Sequence, residues 1–277
     1  MFDQCIKLKK STIQYGPYNK RCYLMKLDPT DMPELIDEID GLVKQNNLQK
    51  SFVKVPQSFV PQFLNDGYQV EATIPLYFGM EDGCFLGKFY DQERAKEHHQ
   101  EQVDENLKLA LAITPQDHPP KEVPSKFKLL QLGHEHIDQL VELYSRVFET
   151  YPFPIHDSNY LKKTMQTHVD YFGIFEGTQL VAAASSEKDR ENGVAELTDF
   201  ATLPEYRGKG FALNLLMEME KKILKQDINL GMTIARANSA GMNITFAKAG
   251  YSFGGTLVNN TNISGKIESM NVWYKDL

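Results

Sequence analysis

No stretch of this 277-residue sequence approaches the roughly 18 consecutive apolar residues that a membrane helix requires. The opening residues, Met1-Phe2-Asp3-Gln4-Cys5-Ile6-Lys7, contain no apolar core of the signal-peptide kind, so a cytoplasmic chain is expected and no membrane partner is. Cysteine is scarce. Cys5, Cys22 and Cys84 are odd in number and never spaced C-x-x-C, which argues against both a disulfide framework and a cysteine zinc site. The histidines at His98-His99 and His134-Glu135-His136 lack the i, i+4 spacing of a helical metal pair, and no metal is expected. Positive charge is also short: 30 Lys and Arg stand against 37 Asp and Glu, a net charge of −7. That balance gives no general attraction to nucleic acid, while a small cationic partner is compatible with it.

Proline is concentrated in one place. Pro115, Pro119, Pro120 and Pro124 interrupt any helix or central strand between Thr114 and Pro124, so residues 114–125 read as a linker between modules at 1–113 and 126–277. In the first module, apolar spacing predicts a helix from Asp31 to Val43, a strand over Ser51–Val55, a helix ending at Gly67 and a helix between Glu93 and Ala112. In the second, strands are expected at Lys126–Leu132, Asp170–Glu176, Thr178–Ser185, Val194–Thr202, Gly231–Ala237, Gly254–Val258 and Ile267–Tyr274. Helices are expected at Glu135–Phe148, Asp157–His168, Gly208–Lys225 and Met242–Ala249. Hairpins followed by alternating strand and helix define an α/β class with a mixed sheet flanked by helices. An internal echo, Val53-Lys54-Val55 through Phe63 to Gly67-Tyr68 against Ile234-Ala235-Arg236 through Phe246 to Gly250-Tyr251, makes the smaller first module a candidate degenerate copy of the second.

The segment richest in chemistry is Thr202-Leu203-Pro204-Glu205-Tyr206-Arg207-Gly208-Lys209-Gly210-Phe211-Ala212, where an apolar strand passes through two glycines into a helix. Unpaired N–H groups and the positive end of the helix dipole make such a junction an anion seat, and glycine lets a diphosphate approach closely. A dinucleotide fingerprint fails because Leu213 stands where its third glycine belongs, and a phosphate-binding Walker loop fails because Gly210 follows Lys209. The pattern Arg-x-x-Gly-x-Ala at 207–212 resembles the acetyl-CoA signature of the GCN5-related N-acetyltransferase (GNAT) family. Longer phrases, Phe148-Glu149-Thr150-Tyr151-Pro152-Phe153-Pro154-Ile155, Ala235-Arg236-Ala237-Asn238-Ser239-Ala240-Gly241-Met242-Asn243 and Asn259-Asn260-Thr261-Asn262-Ile263, resemble the branch of that family that acetylates β-lysine.

The resemblance implies acetyl-CoA as co-substrate and a small cationic amino acid as acceptor. It implies that Arg207, Gly208, Lys209, Gly210, Phe211 and Ala212 hold the pyrophosphate and that the strand edge at Phe200, Ala201, Thr202 and Leu203 pairs with the pantetheine arm. Asn238, Ser239 and Asn243 are candidates for the pantetheine amides, and Phe246 occupies the position of the tyrosine that protonates the departing thiolate in many members. That acid is therefore unassigned, with water, Tyr251, Tyr274 and unassisted departure of a thiolate of pKa about 8.5 as alternatives. An alkyl ammonium of pKa ~10.4 must lose a proton before it attacks, so a general base is required. Glu196 is the candidate; Asp199, three residues on, joins it only if the strand carries a bulge. Glu149, Tyr151, Phe153, Asn260, Asn262 and Glu268 are candidates for the acceptor pocket. Lysine, another diamine or a protein amine stays open as acceptor, as does a non-catalytic acetyl-CoA-binding protein, and the first module is left to packing, homodimer formation or pocket closure.

Overall fold

The computed structural model describes residues 3–117, 119 and 121–277. In the first half, β1 (Gln4–Leu8), β2 (Ser11–Gly16) and β3 (Arg21–Lys26) form an antiparallel meander. Helix α1 (Leu35–Gln45) returns the chain so that β4 (Lys50–Pro56) lies parallel to β3. After α2 (Val60–Asn65), the hairpin of β5 (Gln69–Phe78) and β6 (Glu81–Phe89) places β6 against β4, and α3 (Gln100–Leu111) leads to the proline-rich segment.

The second half begins with β7 (Phe127–Gln131), α4 (Ile137–Val147) and α5 (Ser158–Thr167) and then follows the same plan. A meander of β8 (Val169–Glu176), β9 (Gln179–Asp189) and β10 (Val194–Thr202) is followed by α6 (Phe211–Leu224) and by β11 (Leu230–Arg236) parallel to β10. Helix α7 (Ala240–Lys248) precedes the hairpin of β12 (Ser252–Ile263) and β13 (Lys266–Asp276), with β13 against β11. The thirteen strands among the described residues make one mixed sheet, ordered β1-β2-β3-β4-β6-β5-β12-β13-β11-β10-β9-β8-β7.

The expected elements of the second half are all present, shifted by a few residues at their ends. The first half departs further. Its meander and its β5–β6 hairpin were not anticipated, because their strands alternate weakly and carry glycine and charge. Helix α1 starts at Leu35 rather than Asp31, after Pro29 and Pro33 have delayed it, and α3 starts at Gln100 rather than Glu93.

The echo in the sequence is an echo in the fold. Phe63 meets Tyr68 edge-on at 5.1 Å, and Phe246 meets Tyr251 edge-on at 5.2 Å. The β5–β6 pairing slips between Val70 and Ala72 and between Ile74 and Phe78; the β12–β13 pairing slips at the matching places, between Phe253 and Gly255 and between Leu257 and Thr261. The halves join where Ala72 of β5 pairs with Gly255 of β12. These residues stand at equivalent points of the two copies, four beyond Tyr68 and Tyr251, so the contact is isologous about a local two-fold axis.

Two apolar layers follow from this arrangement. One lies between the first half of the sheet and α1 and α2, with Leu35, Ile39, Val53, Phe63 and Leu86 fully buried. The other is shared: Phe52, Ile74, Tyr77 and Phe85 of the first half belong to one cluster with Leu140, Tyr144, Leu215, Leu216 and Trp273 of the second. Helix α6 turns Leu215, Leu216, Met219 and Ile223 inward at helical spacing, which docks the glycine loop rigidly on the sheet.

The joint tolerates no added atom. A Cβ on Gly255 would sit 2.6 Å from Ala72 Cα and closer still to the Glu71 carbonyl oxygen, on a backbone with φ +141°. Gly255→Ala is therefore expected to lower stability by about 2–4 kcal/mol through overpacking and strain, read as a lower urea midpoint; an unchanged midpoint would show that β5 and β12 separate easily.

Candidate active site

Strands β10 and β11 stay paired only from Val194 to Glu196, opposite Leu230 to Met232, although both continue for several residues. Beyond Glu196 they diverge, leaving one edge of β10 without a strand partner. On its other edge β10 carries a bulge: Thr198 pairs with Ser185 and Ala201 with Ala183, so Asp199 and Phe200 together oppose one residue of β9. Asp199 takes a left-handed backbone, φ +55°, and this turns its carboxylate to the same side as Glu196. The bulge that the sequence required for both acids to meet is present.

These strands open into a cavity of about 620 Å³ walled by both halves of the chain. The second half supplies Glu187, Glu196, Asp199, Tyr151, Tyr160 and Tyr171; the first supplies Arg21, Tyr23, Phe52, Lys54 and Tyr77. Burial dominates the acids. Glu196 is pushed up to about 8, first by burial and then by the neighbouring Glu187 carboxylate, with the Lys54 cation and a hydrogen bond from the Ile234 N–H opposing. Burial also raises Asp199, although the Ser185 hydroxyl donates to its Oδ2 at 2.6 Å and the Tyr151 hydroxyl donates to its Oδ1. Asp199 is thus engaged within the wall, while Glu196 faces the cavity with most of its hydrogen-bonding capacity free.

The glycine loop lies beyond the cavity, at the far end of β10. Gly208 and Gly210 adopt φ +77° and +82°, which glycine accepts without strain; open space faces the missing Cβ of Gly208, and only Asn214 Oδ1, at 4.0 Å, approaches that of Gly210. The fold supplies no backbone acceptor for the N–H groups of Gly208 to Leu213 among the described residues, and Arg207 and Lys209 are exposed beside them. The donor set therefore fits a diphosphate. Phe200 lines the cavity, Ala201 and Leu203 are buried, and the Phe211 ring packs edge-on against Phe127 at 4.8 Å, so Phe211 offers only its backbone. Thr202, half-buried, and Ala212, the second residue of α6, complete the run.

Several expected ligand contacts are corrected. Asn243 is fully committed inside the fold: its amide donates to the Arg236 and Ser239 carbonyls and accepts from Asn271 and Trp273. Asn238 and Ser239 keep free side chains beside it, but they lie outside the cavity wall. Phe246 lines the cavity against Phe200, at 5.5 Å. Neither Tyr251 nor Tyr274 reaches the cavity; the Tyr251 hydroxyl lies behind the sheet near Gly231.

Of the acceptor candidates, Tyr151, Phe153 and Asn260 line the cavity and Glu149, Asn262 and Glu268 do not. Glu149 is exposed against the Gly265 turn. Asn262 donates its amide to the Tyr18 carbonyl, and Glu268 clamps Arg236 through two bonds of 2.9 Å. A polar residue on a strand serves the neighbouring backbone as readily as a ligand, and only packing separates the two uses. Sequence reasoning missed Arg21, Lys54 and Glu187. The one available signal was a lysine inside the otherwise apolar run Phe52-Val53-Lys54-Val55.

A sequence model of the acetyltransferase (GNAT) family matches residues 137–251. The chain is 40% identical over 273 residues to the β-lysine N(6)-acetyltransferase of Methanococcus maripaludis, covering 99% of this chain and 98% of that one. The chain belongs to the GNAT acetyltransferase family. The N-acetyltransferase YodP of Bacillus subtilis is 30% identical, with 96% of each chain covered, and the β-lysine N(6)-acetyltransferase of Methanosarcina mazei is 29% identical, with 88% of this chain and 97% of that one covered. These relatives span both halves of the GNAT enzyme.

The Glu196 environment makes a stability prediction independent of turnover. An acid whose folded pKa, about 8, exceeds its ordinary value of 4.5 holds its proton more tightly when folded. Stability from this group is then full below pH 4.5 and falls as pH rises toward 8. Glu196→Gln should melt with wild type near pH 4.5 and above it at pH 8.5; a difference in Tm that does not grow with pH contradicts the burial of this charge.

Proposed function

We propose that this GNAT enzyme transfers the acetyl group of acetyl-CoA to the terminal amine of β-lysine (3,6-diaminohexanoate). The observation that carries the reading is Glu196, a half-buried carboxylate pushed up to about 8 by its loss of hydration, set where β10 and β11 part and facing a cavity rich in carboxylate and tyrosine. The names of two relatives that match nearly end to end support the acceptor.

When bound, acetyl-CoA supplies the activated acetyl thioester. The N–H groups of Gly208 to Ala212, with Arg207 and Lys209, are the residues that hold its diphosphate. The unpaired edge of β10 from Phe200 to Thr202 offers backbone donors and acceptors to the amide-bearing arm, while the Leu203 N–H is committed to the Val181 carbonyl at 3.0 Å, and Asn238 and Ser239 supply side-chain groups beside it. Phe200 and Phe246 form a dry wall at the reacting end.

The acceptor is a dication and an anion. Its ammonium enters a cavity where Glu187, Glu196 and Asp199 concentrate negative charge and where tyrosine faces favour cations. An ammonium beside Glu196 favours the ionised carboxylate, so substrate binding itself prepares the base. Glu196 then accepts the proton that the amine must lose before attack. Asp199 keeps the Tyr151 ring in place through their hydrogen bond, and Ser185 fixes Asp199 in turn.

Since free enzyme requires Glu196 ionised, kcat/KM should rise with pH through about 8. Glu196→Gln is expected to lower kcat at pH 7 by about 10²-fold or more, with partial recovery above pH 9 as free amine becomes abundant. Unchanged activity at pH 7 removes Glu196 from the mechanism. Gly210→Val should abolish acetyl-CoA binding measured by calorimetry; a normal Kd would move the diphosphate elsewhere. Steady-state comparison of β-lysine with lysine, ornithine and spermidine tests the acceptor, a higher kcat/KM for any competitor overturning it. Release of coenzyme A that depends on added amine excludes a purely binding role.

A further inference from the structure

The charges of the cavity do not cancel, and the imbalance has a direction. Of its cations, Lys26 pairs with Glu191, Lys188 with Asp170 at 2.8 Å, and Arg236 with Glu268 at 2.9 Å. Arg190 is exposed and bonds the Gln226 amide. Apart from the exposed Arg190, two cations, both from the first half, have no carboxylate within 4.0 Å among the described residues: Arg21 on β3 and Lys54 on β4. Lys54 donates only to the Tyr77 hydroxyl, at 2.8 Å, and lies over that ring. Arg21 is buried and spends one guanidinium nitrogen on the Asn260 carbonyl at 2.7 Å and on the Thr261 hydroxyl, leaving Nε and Nη2 without an acceptor.

A second observation lies beside Arg21. The Asn260 side-chain amide lines the same cavity, is 1% exposed, and has neither its Nδ2 nor its Oδ1 hydrogen-bonded in the fold. A buried amide with no partner is costly unless a ligand satisfies it. Two cations without a carboxylate partner and an unpaired amide, in a cavity that also holds the acids at 187, 196 and 199, match an anion attached to a cationic chain.

We propose that Arg21, Lys54 and Asn260 form the seat for the carboxylate of the acceptor, so that the first half of the chain restricts this enzyme to free amino acids. The proposal rests on the acetyl-transfer reading of the cavity and deepens it. Glu196 takes the amine end; Arg21 and Lys54 take the other. A polyamine leaves both cations without an anionic partner, and so does a protein amine, whose carboxyl is consumed in a peptide bond. Arg21 also ties β3 to β12, so Lys54 is the cleaner position to vary.

The test compares β-lysine with 1,4-diaminopentane, which has the same amines and no carboxylate. Wild type should favour β-lysine by about ten- to a hundredfold in kcat/KM, the range of a charge-assisted contact. Lys54→Met should raise KM for β-lysine with less change in kcat and shrink that preference to a few-fold, while Lys54→Arg should retain most of it. A preference retained in Lys54→Met, or an equal loss on both substrates, overturns the seat and leaves the acceptor reading standing. Wild type favouring lysine over β-lysine overturns the acceptor reading instead, and the seat is then judged by the same comparison between lysine and 1,5-diaminopentane. Wild type favouring the carboxylate-free amine in both pairs overturns both.

Discussion

Three buried cations from the first half grip three successive carbonyls of β12: Lys50 Nζ bonds Val258 at 2.8 Å, Arg94 Nε bonds Asn259 at 2.6 Å and Arg21 Nη1 bonds Asn260 at 2.7 Å. Strand β12 needs this help. Its pairing with β13 breaks between Leu257 and Thr261, and its pairing with β5 is confined to the neighbourhood of Gly255. Carbonyls left bare inside the molecule would each cost on the order of 1–3 kcal/mol, and the cations would cost more if unpaired. Each satisfies the other. Glu71 completes the arrangement by accepting from both Lys50 and the Val258 N–H. One sheet of thirteen strands, and with it a cavity shared by two halves, depends on this strip of contacts.

The local two-fold explains how a duplicated plan yields a single active site. Both copies place a parallel strand pair after a meander, yet only the second opens that pair onto a glycine loop. In the first copy the corresponding connection, Leu27-Asp28-Pro29-Thr30-Asp31-Met32-Pro33-Glu34, has no glycine and three acids, and Asp31 accepts hydrogen bonds from Ser11 and from the Lys10 N–H. A segment so charged and so occupied offers nothing to a diphosphate. The first copy instead turns the face of β3 and β4 toward β9 and β10, and its aromatic and cationic side chains become a wall of the shared cavity.

Electrostatics follows the same division. In a chain of net charge −7 an anionic coenzyme needs local donors, and the proposed seat at 207–212 concentrates them at a helix terminus. The cavity works in the opposite sense. Its acids crowd together and loss of hydration pushes Glu196 up to about 8, in keeping with the proposed role of base.

Strong periodicity and a glycine pattern made the second half readable from its residues: apolar runs of β8 to β11, the helical spacing of α6 and the loop at 207–212 each carry a local physical signature. The β5–β6 hairpin and the role of the asparagines had none, because a polar strand residue looks alike whether it meets a ligand or a neighbouring carbonyl. Asn259 and Asn262 bond backbone of the first half, whereas Asn260, between them, faces the cavity. Thus the sequence alone determined the family and picked out the candidate coenzyme loop and the two candidate acids, since those depend on short-range spacing. Only the tertiary structure decided that Asp199 turns toward Glu196, that Asn243 and Glu268 are structural, and that Arg21 and Lys54 stand in the cavity, because each of these follows from which distant strands come to lie face to face.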